Sequence, residues 1–111
     1  MTILDPSAGF FILINTFTVE PDKAQALLDS LSNATEEVFR HAPGFVSANL
    51  HISDDGRHVA NYAQWRSKTD YDEAGKNPAV QSHMREAAKH VPSFEPVFYD
   101  LVKVHVAERE S

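Results

Sequence analysis

The run Gly9–Val19 constrains the fold most, because it reads as a strand that is apolar on both faces. Successive side chains of a strand point to opposite sides. Phe10, Ile12, Ile14 and Thr16 therefore share one face, and Phe11, Leu13, Asn15, Phe17 and Val19 the other. A strand buried on both sides needs a covering layer on each. A chain of 111 residues amounts to one domain with too few helices for two such layers. A second copy of the sheet is the natural cover for the remaining face.

The other elements follow in order. Glu20-Pro21-Asp22 marks a helix start, with Pro in the first turn and acids near the positive helix end. Ala24, Leu27, Leu28, Leu31, Ala34, Val38 and Phe39 recur at the spacing of one helical face, which predicts a helix to about His41, ended by Pro43-Gly44. Phe45–Ser53 alternates, with Val46, Ala48, Leu50 and Ile52 opposite Phe45, Ser47, Asn49 and His51. The Asp55-Gly56 pair favours a tight hairpin into a third strand, about His58 to Arg66. Ser67 suits the cap of a short helix reaching about Lys76, with Asp70 as a shortened capping-box acid. Asn77-Pro78 restarts a helix to about His90, whose apolar side is Val80, Met84, Ala87, Ala88 and Val91. Pro92 stops it, and Glu95–Val106 reads as a fourth strand before a polar tail, residues 107–111.

This order predicts an α+β fold, a ferredoxin-like split βαβ sandwich with an antiparallel sheet and its helices on one face. One domain spans residues 1–111, with its core at about 9–106. Its open apolar face predicts a back-to-back homodimer, a dimeric α/β barrel.

Composition removes several function classes. Sixteen acidic residues against ten basic, with no Lys/Arg cluster, offer no footprint for nucleic acid. The absence of cysteine removes disulfides, thiolate catalysis and Cys-based metal sites. The N-terminus lacks the basic region of a signal peptide, and the longest apolar run, Ala8–Ile14, is far short of the roughly 18 residues a membrane span requires. A cytoplasmic protein with no membrane partner is expected. The histidines at 41, 51, 58, 83, 90 and 105 form no compact ligand motif, so no metal site is expected either.

Residues Asn61–Tyr71 carry the functional content. Val59, Asn61, Ala63 and Trp65 share one strand face, setting an amide, a gap and an indole in a row. Ala63 stands where a core strand more usually has Val, Ile or Leu, so it looks like the floor of a small cavity. The plainer alternative makes Trp65 the largest core residue and Asn61 a satisfied buried amide.

The Asn-Tyr-Ala-Gln-Trp run at 61–65, Tyr71 six residues later, the Pro-Gly-Phe entry at 43–45, the Asp-Gly hairpin and Arg-Glu-Ala at 85–87 together resemble the antibiotic biosynthesis monooxygenase family. The resemblance runs from about Gly9 to Tyr99, and within the family the chain is most similar to the cofactor-free, quinone-forming monooxygenase of actinorhodin biosynthesis. It implies that Asn61, Trp65, Tyr71 and Arg85 are catalytic and that Asn15, Phe17, Ala63 and His83 contact the substrate. That substrate would be a polycyclic or phenolic aromatic, anthrone- or hydroquinone-like, oxidised by O2 to a quinone without flavin, haem or metal. In this picture the Asn61 amide and Trp65 N–H donate to a substrate oxygen where negative charge accumulates. Tyr71 passes a proton, and Arg85 stabilises a tyrosinate or the substrate anion.

Two alternatives stand beside it. Haem-degrading enzymes of the same superfamily use an Asn on the first strand, a Trp on the third and a His on the later helix. Asn15, Trp65 and His83 sit at broadly similar places, although His83 is about one position, or roughly 100° of helix, from the expected ligand. The other alternative is a dimer that binds an aromatic metabolite without turning it over.

Overall fold

The computed structural model describes residues 1–108. Four strands, β1 (Phe11–Thr18), β2 (Phe45–Ile52), β3 (His58–Trp65) and β4 (Ser93–Tyr99), form one antiparallel sheet in the order β2-β3-β1-β4. Three helices, α1 (Ala24–Glu37), α2 (Lys68–Gly75) and α3 (Pro78–Ala88), pack on one face. This is the ferredoxin-like architecture the element order predicts.

Register turns the sequence pattern into a core. Leu13 lies opposite Ala63, Asn15 opposite Asn61 and Phe17 opposite Val59. Phe17 and Val59 join Leu27, Leu31 and Ala87 in one buried cluster. Leu13, Ala63 and Trp65 join Ala74 in another. The row between the two clusters is Asn15–Asn61, so an amide pair interrupts the core at the middle of the sheet.

Local chemistry holds the elements in place. The Ser67 hydroxyl accepts from the Asp70 backbone N–H at 3.1 Å, closing the first turn of α2. The Asp70 carboxylate accepts from that same hydroxyl rather than from the Ser67 backbone N–H. Gly44 has φ +82°, and a Cβ there would overlap the Asp70 carboxylate. Its carbonyl accepts from the Arg66 N–H at 2.8 Å, so the start of β2 is clamped against the end of β3. Only glycine meets both demands.

The structure corrects four local expectations. The strand expected over Glu95–Val106 is Ser93–Tyr99, because its ladder with β1 ends at the pair Ile12–Tyr99 and the chain before Phe11 turns away at Gly9, φ 67°. Residues 100–108 are irregular, and 109–111 of the expected tail lie outside the described residues. A bulge between Phe45 and Ser47 breaks the alternation of β2, so Phe45 faces the helices together with Ala48 instead of opposite it. The helix expected to run to His41 ends at Glu37 and passes through Val38 into a 3-10 turn, Phe39–His41. On α3, Val80 and Ala87 are buried while Ala88 faces solvent.

The outer face of the sheet is only partly open. Gln64, 1% exposed, accepts from the Ser47 hydroxyl at 2.8 Å and donates to the Ile3 carbonyl at 2.9 Å. The Thr2 hydroxyl donates to Asn49 at 2.6 Å. The first residues are thereby fastened over β2 and β3, while Val97 and Tyr99 on β4 stay exposed.

Candidate active site

A cavity of about 600 Å3 occupies the gap between the two core clusters. Its floor comes from β1 and β3 through Leu13, Asn15, Phe17, Asn61, Ala63 and Trp65. Leu31 and Thr35 of α1 close one side, Tyr71 and Lys76 another, and Val80, Gln81, Met84 and Arg85 of α3 a third. Seven of the eight residues expected from the resemblance line this one cavity: Asn15, Phe17, Asn61, Ala63, Trp65, Tyr71 and Arg85.

The amide pair is chemically unfinished. Asn15 Oδ1 and Asn61 Oδ1 are both buried, and among the described residues neither has a hydrogen-bond partner. A buried acceptor left unmade costs about 1–3 kcal/mol, so two on adjacent strands set a polar spot in an otherwise apolar layer. Rotation about χ2 presents either the carbonyl or the NH2 end of such an amide to one point. The pair can accept from a hydroxyl or donate to an oxyanion. Among the described residues the Asn61 oxygen lacks the partner that the plainer alternative expects.

Trp65 answers to both descriptions. It is 2% exposed, and Phe39, Phe45 and Tyr71 meet its ring in edge-to-face geometry at centroid distances of 6.2, 5.3 and 5.8 Å. Those contacts fix the indole as one flat wall of the cavity. Phe45 reaches it through the bulge, which is why alternation did not reveal it, while Phe39, on the apolar face by helical spacing, reaches it from the 3-10 turn after Glu37. Leu31 and Thr35 were visible in principle, four and eight residues beyond Leu27 on one helical face.

Burial raises the Tyr71 pKa, the neighbouring Asp72 charge adds to the effect, and Lys68 partly offsets it. The phenol therefore stays protonated across the neutral range, with a proton available to donate. Among the described residues Arg85 has no ion-pair partner, whereas the nearby Lys76 and Asp72 are paired with Glu73 and Lys68. Its guanidinium, in the last turn of α3, is left to face whatever enters the cavity.

His83 is the expected contact that the structure puts elsewhere. Its Nε2 lies 3.5 Å from Glu37 Oε2, against the C-terminal end of α1, because α3 turns Val80, Gln81, Met84 and Arg85 to the cavity instead. Among the described residues none lining the cavity is a histidine, so His83 is not placed as the haem alternative expects. Among the described residues no three His, Asp or Glu side chains are grouped to hold a metal ion, and no helix is long and apolar enough to cross a membrane.

Comparison with known proteins gives the family and the fold. Residues 10–86 match the family model described as antibiotic biosynthesis monooxygenase. The chain is 42% identical over 101 residues to tetracenomycin-F1 monooxygenase of Streptomyces glaucescens, covering 91% of this chain and 89% of the relative. It superimposes on a monooxygenase from the gene ActVA-Orf6 of Streptomyces coelicolor, crystallised with nanaomycin D, with a TM-score of 0.79, 29% identity and coverage of 94% and 96% of the two chains. SnoaB of Streptomyces nogalater, a cofactor-independent oxygenase, shares the fold at a TM-score of 0.73 and 18% identity, with 93% and 96% covered. With its matched region extending from β1 into α3 and a relative of that identity aligned over most of both chains, this chain belongs to the antibiotic biosynthesis monooxygenase family.

Proposed function

We propose that this protein is a cytoplasmic, cofactor-independent monooxygenase that oxidises an anthrone- or hydroquinone-like polycyclic phenol to a quinone with O2. The two unpartnered amides, Asn15 and Asn61, carry this reading. They lie in an otherwise largely apolar cavity within the size range of small-molecule sites, a setting suited to a flat aromatic ligand with oxygens on its edge. The aromatic polyketide names attached to the two Streptomyces monooxygenases support the same substrate class.

The chemistry needs little from the protein beyond placement and proton control. For an anthrone, loss of a methylene proton gives a phenolate-stabilised carbanion that is itself the reductant of O2. A C–O bond forms, giving a hydroperoxide. The O–O bond then breaks as the second methylene proton leaves, producing a carbonyl and water. One oxygen atom stays in the product, the other becomes water, and all the electrons come from the substrate. Asn15 and Asn61 hold the substrate oxygens, Trp65 and Phe17 bound its ring plane, and Ala63 leaves it room. Tyr71 donates the proton to the departing hydroxide, and Arg85 favours the anionic form of the substrate.

The test is O2 uptake by purified, metal-stripped protein offered a panel of anthrones and hydroquinones. Protein-dependent uptake with one quinone formed per O2 is the expected result. Tight ligand retention without uptake would replace the enzyme by a binding protein.

A homodimer belongs to the same proposal. Val97 and Tyr99 on the outer face, with Val102 and Val106 beyond β4, present apolar surface that a second copy would cover. Sedimentation at micromolar concentration is expected to give twice the chain mass, and a monomer mass would remove the proposed pairing.

A further inference from the structure

Tyr71 is asked for a proton at a defined place, yet α2 gives it little support of its own. The helix has eight residues and buries only Ala74. The tyrosine ring is held from the sheet side. Phe11 lies 5.6 Å from it, and Phe98, on the edge strand β4, meets it edge-on at 5.5 Å. Phe98 also stacks on Phe11 at 5.1 Å with the planes 28° apart, so the three rings close a triangle. Tyr71 and Trp65 line the cavity, whereas Phe11 and Phe98 do not. Phe98 is 46% exposed, so it is only partly buried while its ring touches both Phe11 and Tyr71.

We propose that Phe98 is a positioning residue for Tyr71: its ring backs the tyrosine against Trp65 and thereby sets where the hydroxyl meets the substrate. The inference rests on Tyr71 as the proton donor of the reaction proposed above. A residue outside the cavity then controls the geometry of proton transfer, and a displacement of about 1 Å at such a step can cost roughly 100-fold. Because Phe98 sits on an edge strand, the proton donor of α2 is braced by the part of the sheet nearest solvent.

The experiment compares Phe98→Leu, Phe98→Ala and Phe98→Tyr with the unmodified protein in two measurements. The first is steady-state O2 uptake. Phe98→Leu is expected to lower kcat between about 10-fold and the roughly 100-fold of a misplaced group, with KM nearly unchanged. Phe98→Tyr, which keeps the ring and can send its hydroxyl to solvent, is expected to restore kcat. The second is the phenol absorbance titration of Tyr71 for the Leu and Ala variants, isolated by subtracting each protein's Tyr71→Phe counterpart. Its midpoint is expected to move down toward the ordinary phenol range as the ring loses cover.

Unchanged kcat and an unchanged Tyr71 midpoint in the Leu and Ala variants would overturn the proposal. So would equal losses of kcat in the Leu and Tyr variants, because the ring would then not be the cause. Normal turnover by Tyr71→Phe would overturn it as well. A protein with no turnover on any substrate would instead sink the monooxygenase proposal, leaving the titration to decide whether Phe98 positions Tyr71.

Discussion

Asn61→Leu is expected to make the protein more stable and nearly inactive. The Asn61 carbonyl oxygen is buried without a partner among the described residues, so the folded state carries its desolvation cost, about 1–3 kcal/mol. Leucine removes that cost and adds apolar contact with the neighbouring clusters. At roughly 4–8 °C per kcal/mol for a domain near this size, the thermal midpoint should rise by several degrees. Turnover should fall about 100- to 1000-fold, the usual penalty for deleting one preorganised partner of a developing charge. A thermal melt and an O2-uptake assay on one preparation decide the matter. A lower midpoint would mean the amide is already satisfied in the free protein, and unchanged turnover would remove Asn61 from the chemistry.

Tyr71→Phe is expected to lower kcat by about 10²–10⁴-fold while leaving KM close to its original value, because the ring contacts survive and only the proton is lost. The same variant reads out the shifted phenol in the stability curve. The folded-state pKa of Tyr71 is raised, chiefly by burial. Its contribution to stability is therefore fully present below the ordinary tyrosine pKa of about 10 and is lost as pH rises from there through the folded-state value. In that window the unfolded chain gives up its proton first. Urea denaturation at stepped alkaline pH should show the unmodified protein losing stability faster than Tyr71→Phe, and parallel curves would contradict the burial effect.

The fold was legible because its signals were local and agreed with one another. Two-residue alternation in β1 and β3, the apolar stripe from Ala24 to Ala34, the Ser67 cap and the Asn77-Pro78 restart each specify one element, and the order of elements specifies the sheet. The cavity was legible in part for the same reason: Asn61, Ala63 and Trp65 share a face by parity alone. Asn15 and Phe17 follow from parity in β1, but their pairing with Asn61 and Val59 is a register that only the folded sheet reveals.

The misses arise where a local rule is interrupted. The bulge at the start of β2 reverses the face of Phe45, and the break at Val38 ends α1 short of His41. Strand propensity in Val102–Val106 had no ladder to join, since β1 begins at Phe11. His83 is a matter of rotation on α3, and one residue of phase separates a cavity wall from a helix–helix contact.

The β2 bulge also has an engineering consequence. It drops Val46 from the ladder and keeps Phe45 opposite Trp65, so the ring at position 45 lies on the helix side with Ala48. That ring bounds the cavity beside Trp65. A change at position 45 is thus expected to reset both the width of the pocket and the setting of the Trp65 indole, so the bulge ties the shape of the cavity to one of its walls.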